Sequence, residues 1–223
     1  MAKDVDGVQR AALFTVLRGL EIQGQKWLKD PVSAKAKNAL QQAGKASFLS
    51  EAYLRSQAAN TKGCFPQDQY LLIRPPKKQT STVCALSCHW DFEQDEPVLS
   101  CYLGIWTPRP VPIADADGNM QRPIVFLGYR YETPDIEGTK HKFYHTQPCR
   151  SMDRERRDLP TAVHHHTAMP TLQLAAEQPA DLLINMAISL HGREYVQELF
   201  TDMIKLRPPK APAEYVKRIK LWF

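Results

Sequence analysis

The chain has 223 residues, 43% apolar and 24% charged, with a formal net charge of +5. These values lie near the globular average and exclude wholesale disorder. No apolar run reaches the roughly 20 residues that a membrane-crossing helix needs. The opening MAKDVDGVQR, with its early acids, does not read as a signal or transit peptide, so a cytoplasmic protein is expected. A chain of this length buries roughly 70% of its unfolded surface and can fold without disulfides or metal. The five cysteines (Cys64, Cys84, Cys88, Cys101 and Cys149) are odd in number and irregular in spacing, and read as free thiols in a reducing compartment.

Residues 5–28 read as an amphipathic helix, with Leu13, Val16, Leu17, Leu20, Trp27 and Leu28 at helical spacing. Gly19 and Gly24 count against it, at about 1 kcal/mol each relative to Ala. Asp30-Pro31 opens a second predicted helix that runs to about Ala43, and Ser47 caps a third that ends near Asn60. The pattern changes at Gly63. Tyr70–Ile73 is a short β-like run. Residues 82–92 alternate, with Cys84, Leu86, Cys88, Trp90 and Phe92 on one face, and residues 98–106 do the same with Leu99, Cys101, Leu103 and Ile105. The polar turn between these runs makes them an antiparallel hairpin. Residues 108–123 read as a loop, 124–132 as the next strand and 140–147 as another. The polar stretch 150–158 reads as a linker. Gln178-Pro179 opens a helix that Gly192 ends, residues 193–206 form a further helix, and Pro208, Pro209 and Pro212 set off a short basic tail helix.

Helices, then strands, then helices predict an α+β fold: N-terminal helices, a central four- to five-stranded antiparallel meander, and C-terminal helices packed on one sheet face. The expected organisation is one domain over 1–207 (helical 1–62, strands 63–149, helical 160–207) followed by the 208–223 tail. No βαβ alternation occurs, which rules out a doubly wound parallel sheet. GxGxxG, GxxxxGK[ST], GxSxG, HExxH and CxxC are all absent, which argues against common nucleotide enzymes, serine hydrolases, zincins and thioredoxin-like proteins.

Five stretches carry residues able to do chemistry. His89 and Asp91 share one strand face, and His141 and His145 share another; if the faces coincide, they could hold a divalent metal, the one cofactor this sequence suggests. His164 and His166 could join such a site if their segment is extended. Arg150, Arg154, Arg156 and Arg157 could bind phosphates in pairs, although interleaved acids cancel much of their field. PDIEGTK at 134–140 departs from the acid–Lys spacing of metal-dependent nucleases and reads as a turn. The tail presents Tyr215, Lys217, Arg218, Ile219, Lys220 and Trp222 as candidate contacts to a partner protein.

Charge is distributed unevenly. Residues 1–62 hold ten Lys/Arg against five Asp/Glu, and the last 21 residues hold six against one, while the middle is mildly acidic. Basic ends suit an acidic partner or phosphates, and nucleic acid is a second expected contact. The leading expectation is a non-catalytic interaction subunit of an intracellular multi-protein assembly. A motif-free layout of this kind fits accessory proteins of prokaryotic operons, including antiviral defence systems. The alternative is a small metal-dependent hydrolase or nuclease with a histidine-rich site on the sheet.

Overall fold

A computed structural model describes residues 2–30, 33, 47–66, 69–76, 83–110, 113–114, 120–121, 124–134, 143–149, 172–207 and 210–220. The fold is α+β, and its N-terminal and C-terminal helices pack on an antiparallel sheet. The predicted second helix falls outside the described residues but for Asp30 and Ser33, as do the 150–158 linker and the PDIEGTK turn from Asp135 on.

Helix α1 (Ala2–Lys29) is the centre of the molecule. Every residue from Ala12 to Leu20 is buried, more than a single amphipathic stripe would give. The reason is that α1 is surrounded: it packs against α2 (Glu51–Gln57), α3 (Pro179–His191), α4 (Arg193–Lys205) and strand β3 (Gln69–Ile73). Gly192, at φ 78°, makes the sharp turn between α3 and α4, a left-handed conformation that favours glycine.

The main sheet continues with β4 (Val83–Asp91), β5 (Val98–Pro110), β8 (Ile124–Glu132) and β9 (His145–Cys149), which follow β3 as an antiparallel meander of five strands. Short strands extend it: β1 (Ser47–Phe48) lies parallel to β3, β10 (Leu172–Gln173) pairs with β9, and β2 (Lys62–Cys64) pairs with the end of β4 that β3 leaves open. The predicted apolar face is the core face. Cys84, Leu86, Cys88, Trp90, Phe92, Leu99, Cys101 and Leu103 are buried against the helices. Trp90 anchors it, with its ring edge-on to Phe14 at 5.1 Å and to Phe65 at 6.0 Å.

Several local expectations are corrected. Ser47 does not cap a helix; it enters β1, because Leu49 donates its backbone N–H to Tyr70 at 2.9 Å and ties the segment to the edge of β3. Ser50 is the cap instead, its hydroxyl accepting from the Tyr53 N–H at 3.2 Å. The strand expected at 140–147 lies at 145–149, where it finds its register against β8. The predicted 108–123 loop is partly ordered as strand. β5 runs on to Pro110 through a register shift after Trp106, a place where prolines are tolerated, and β6 (Ile113–Ala114) pairs with β7 (Met120–Gln121).

Candidate functional site

The meander places the sheet histidines in one row on one face. His89 of β4 stands opposite Ser100 of β5, Ser100 opposite Glu132 of β8, and Glu132 opposite His145 of β9. The two faces expected to coincide therefore do, but three strand intervals of about 4.8 Å separate His89 from His145. One metal with ligands at about 2 Å cannot take both. Among the described residues, no three His, Cys, Asp or Glu side chains converge as a metal site would require.

Each member of the row has a local task. Asp91 pairs with Lys62 at 2.8 Å and accepts from the Glu93 N–H at 2.9 Å and the Gln94 amide at 3.3 Å, which shapes the β4–β5 turn. Burial pushes its carboxyl up, but Lys62 and these donors outweigh that and hold it below the usual range. His89 is exposed. His145 is buried, donates from Nδ1 to the Phe143 carbonyl at 3.0 Å, and sets Nε2 3.3 Å from Glu132. Glu132 also takes Arg130 at 2.8 Å and the Ser100 hydroxyl at 3.0 Å. The Ser100–Glu132 bond joins β5 and β8 by their side chains. His141, His164, His166, Arg150, Arg154, Arg156 and Arg157 lie outside the described residues.

The tail helix α5 (Ala213–Lys220) is docked on its own chain. Tyr215 is buried and Arg218 grips the fully buried Asp181 of α3 through both carboxylate oxygens, at 2.8 and 2.9 Å. Arg218 also bonds Glu177, and the Tyr215 hydroxyl reaches Asp181 at 3.4 Å. Tyr215 and Arg218, read from the sequence as partner contacts, are thus intramolecular: a buried carboxylate at the start of α3 needs a cation, and Arg218 supplies it. Lys217 remains exposed. The Ile219 and Lys220 side chains and Trp222 lie outside what is described.

One concave surface among the described residues was not nominated by the sequence. It is a seam where the end of α1 meets α4, with two neighbouring depressions of about 450 and 410 Å³. Asp202 and Lys205 belong to both. In the first, Asp202 accepts the Gln23 amide and takes Lys26 at 2.6 Å, while Arg74 pairs with Glu198 at 3.1 Å and lies over the Tyr195 ring. Trp27 and Asp30 complete its wall. Burial, reinforced by the Arg74 charge, pulls the neighbouring His191 down to about 4, so this imidazole is neutral at pH 7. The second depression is bounded by Ile22, Glu51, Arg55, Leu206 and Arg207. The signal that could have found the seam is helical spacing: Glu198 and Asp202, and likewise Lys26 and Asp30, stand four apart and share a helix face.

Beneath the second depression, Arg18 of α1 is completely buried and bonds Glu51 at 2.7 Å and the Arg207 carbonyl at 2.9 Å. Arg55 meets the same Glu51 at 2.8 Å, and Arg55 and Arg18 together hold the Glu51 carboxyl below its usual value. Glu21 behaves oppositely: burial, then the nearby Glu51 charge, raises its carboxyl to about 7. A folded-state value above the unfolded one stabilises the protein fully below the unfolded value, and that contribution is lost as pH rises through about 7. Glu21→Gln should therefore leave stability nearly unchanged at pH 4.5 and raise it at pH 8 by about 1–2 kcal/mol, allowing for water that still screens the carboxyl. Urea melts of both proteins at the two pH values check this; an equal difference at both would refute it.

Among the described residues, no helix is long and apolar enough to cross a membrane. Comparison of the chain with protein-family models, with curated proteins and with solved structures finds no match in any of the three.

Proposed function

We propose that this protein is a non-catalytic accessory subunit of an intracellular, cytoplasmic multi-protein assembly, and that the α1–α4 seam receives an acidic segment of a partner protein. One observation carries the reading. Basic residues from both ends of the sequence, Lys26 and Arg55 from one and Lys205 and Arg207 from the other, meet at this seam, where α1 packs against α4. Lys26, Arg55, Lys205 and Arg207 surround the two depressions. Lys205 and Arg207 are exposed and pair with no carboxylate among the described residues. Exposed cations of this kind attract and orient an acidic partner. Two of the buried ionisable groups described above are, by contrast, engaged in ties between elements, Arg18 with Glu51 and Asp181 with Arg218.

The test is a native pull-down of the tagged protein from its own host at low salt, with and without nuclease, beside the Lys205→Glu/Arg207→Glu variant. Both side chains are exposed, and substitutions at such surface positions usually change stability by no more than about 0.5 kcal/mol each. The expected result is a stoichiometric protein that survives nuclease, leaves at about 0.5 M salt where charges are screened beyond a few ångströms, binds the variant at least about tenfold more weakly, and cross-links through an acidic segment. A partner lost on nuclease treatment would place nucleic acid at the seam instead. A partner that binds the variant equally well would refute the seam as the contact.

A further inference from the structure

Cys88 and Cys101 stand directly opposite one another in the β4–β5 ladder, and their sulfurs are 2.8 Å apart. Both are buried on the core face. Opposed residues in antiparallel strands have Cα atoms about 4.5 or 5.5 Å apart, depending on the type of pair. Either value falls within the roughly 4.4–6.8 Å that a disulfide spans. A bonded pair at about 2.05 Å then needs rotation of the two side chains and no movement of the strands. The other described cysteines are not placed for this. Cys84 lies on the same strand face but faces Ile105 and Ile73, and Cys64 is exposed in register with His89, on the opposite side of the sheet.

We propose that Cys88 and Cys101 are a redox pair that closes to a cross-strand disulfide by exchange with a small-molecule disulfide. One cysteine thiolate attacks a sulfur of the small disulfide, forming a mixed disulfide and releasing one small thiol. The second cysteine attacks the protein-bound sulfur, forms the Cys88–Cys101 bond and releases the second small thiol. The two cysteines give up two electrons and two protons, and the small disulfide is reduced to two thiols. In the closed fold, burial and the adjacent Cys101 sulfur push the Cys88 thiol well above its usual value, so little thiolate forms there near neutral pH. Exchange therefore proceeds while the β4–β5 ladder is forming or briefly open, and the packed core then shields the product.

The test uses the full chain, both wild type and a Cys64→Ser/Cys149→Ser variant that keeps Cys84, Cys88 and Cys101. Reduced protein is unfolded in denaturant, refolded in mixtures of glutathione and glutathione disulfide, then denatured, alkylated and mapped by mass spectrometry. The expected result is a species lighter by about 2 Da, with two thiols protected, one peptide joining Cys88 to Cys101, Cys84 alkylated, and full reversal by dithiothreitol. Oxidation of the already folded protein should be at least about tenfold slower than oxidation during refolding. Alkylation of all three thiols at every glutathione ratio would overturn the proposal, as would a bridge that uses Cys84. If the variant does not fold, the wild-type map decides alone, by the presence or absence of the Cys88–Cys101 peptide.

Discussion

Asp181→Ala should cost about 3 kcal/mol of stability and release the C-terminal helix. Asp181 is fully buried at the third position of α3, and one carboxylate does three jobs there. It accepts the backbone N–H groups of Glu177 and Gln178, at 2.9 and 3.2 Å, which the start of the helix would otherwise leave without partners. It meets the Tyr215 hydroxyl. It binds Arg218 through both oxygens. Removing one partner of a buried ion pair usually costs about 3–5 kcal/mol. The lower end applies because the Arg218 side chain, 27% exposed, can turn to water and keep Glu177. In a chain of this size such a loss lowers Tm by roughly 6–12 °C. Limited trypsin digestion should cut at Lys217 or Arg218 faster in the variant than in the wild type. A Tm change under about 3 °C with an intact tail would show that α5 is held by its apolar contacts alone.

The second large effect runs against helix propensity. In an exposed helix, Gly→Ala gains about 1 kcal/mol. Gly24→Ala should instead destabilise by about 2–3 kcal/mol, because a Cβ at this position would lie 2.2 Å from the backbone carbonyl oxygen of Leu72. That atom belongs to β3, so relief requires α1 and β3 to separate, which opens the shared core to which Leu17 and Leu20 of α1 and Leu71 and Ile73 of β3 belong. Gly19 is tight in another way. Its Cβ would meet Cδ1 of Leu199 and Cγ of Met203, both at 2.8 Å, and these are side-chain rather than backbone atoms, which can shift more readily. Gly19→Ala is expected to cost less than Gly24→Ala, and chemical denaturation of the two variants tests the ordering. A stabilised Gly24→Ala would mean that α1 and β3 do not approach as closely as described.

These two glycines show where local reading runs out. In the sequence both register only as weak points in a helix, since propensity counts a missing side chain as a loss. What they permit, a close approach of one element to another, depends on which strand and helix lie across α1, and no local pattern carries that. Asp181 is similar. As a residue near a helix start it looks like an ordinary capping acid, and its main partner, Arg218, lies 37 residues further along the chain. The tail's basic residues were visible, but the split between inward Tyr215 and Arg218 and outward Lys217 follows from where the buried carboxylate sits.

The sheet was far more legible. Alternation over 82–92 and 98–106 identified the strands and the face of each that is buried, because a strand's period of two survives whatever packs on it. The antiparallel meander was expected from these runs, while the strand order came only from the register. Where charged and polar pairing decided the outcome, the sequence was silent. His89 and His145 share a face, yet the intervening strands β5 and β8 put them too far apart for a joint site.

By itself, the sequence determined the fold class, an antiparallel meander of four to five strands, its apolar face and the basic character of both ends, since these rest on periodicity and composition. The tertiary structure alone decided that the middle of α1, from Ala12 to Leu20, is buried among three helices and β3, that basic residues from both ends meet at one seam, that α5 is latched by Asp181, and that Cys88 faces Cys101. Each of these is a contact between residues distant along the chain, set by strand register and helix packing; local spacing marks at most the faces involved, not that they meet.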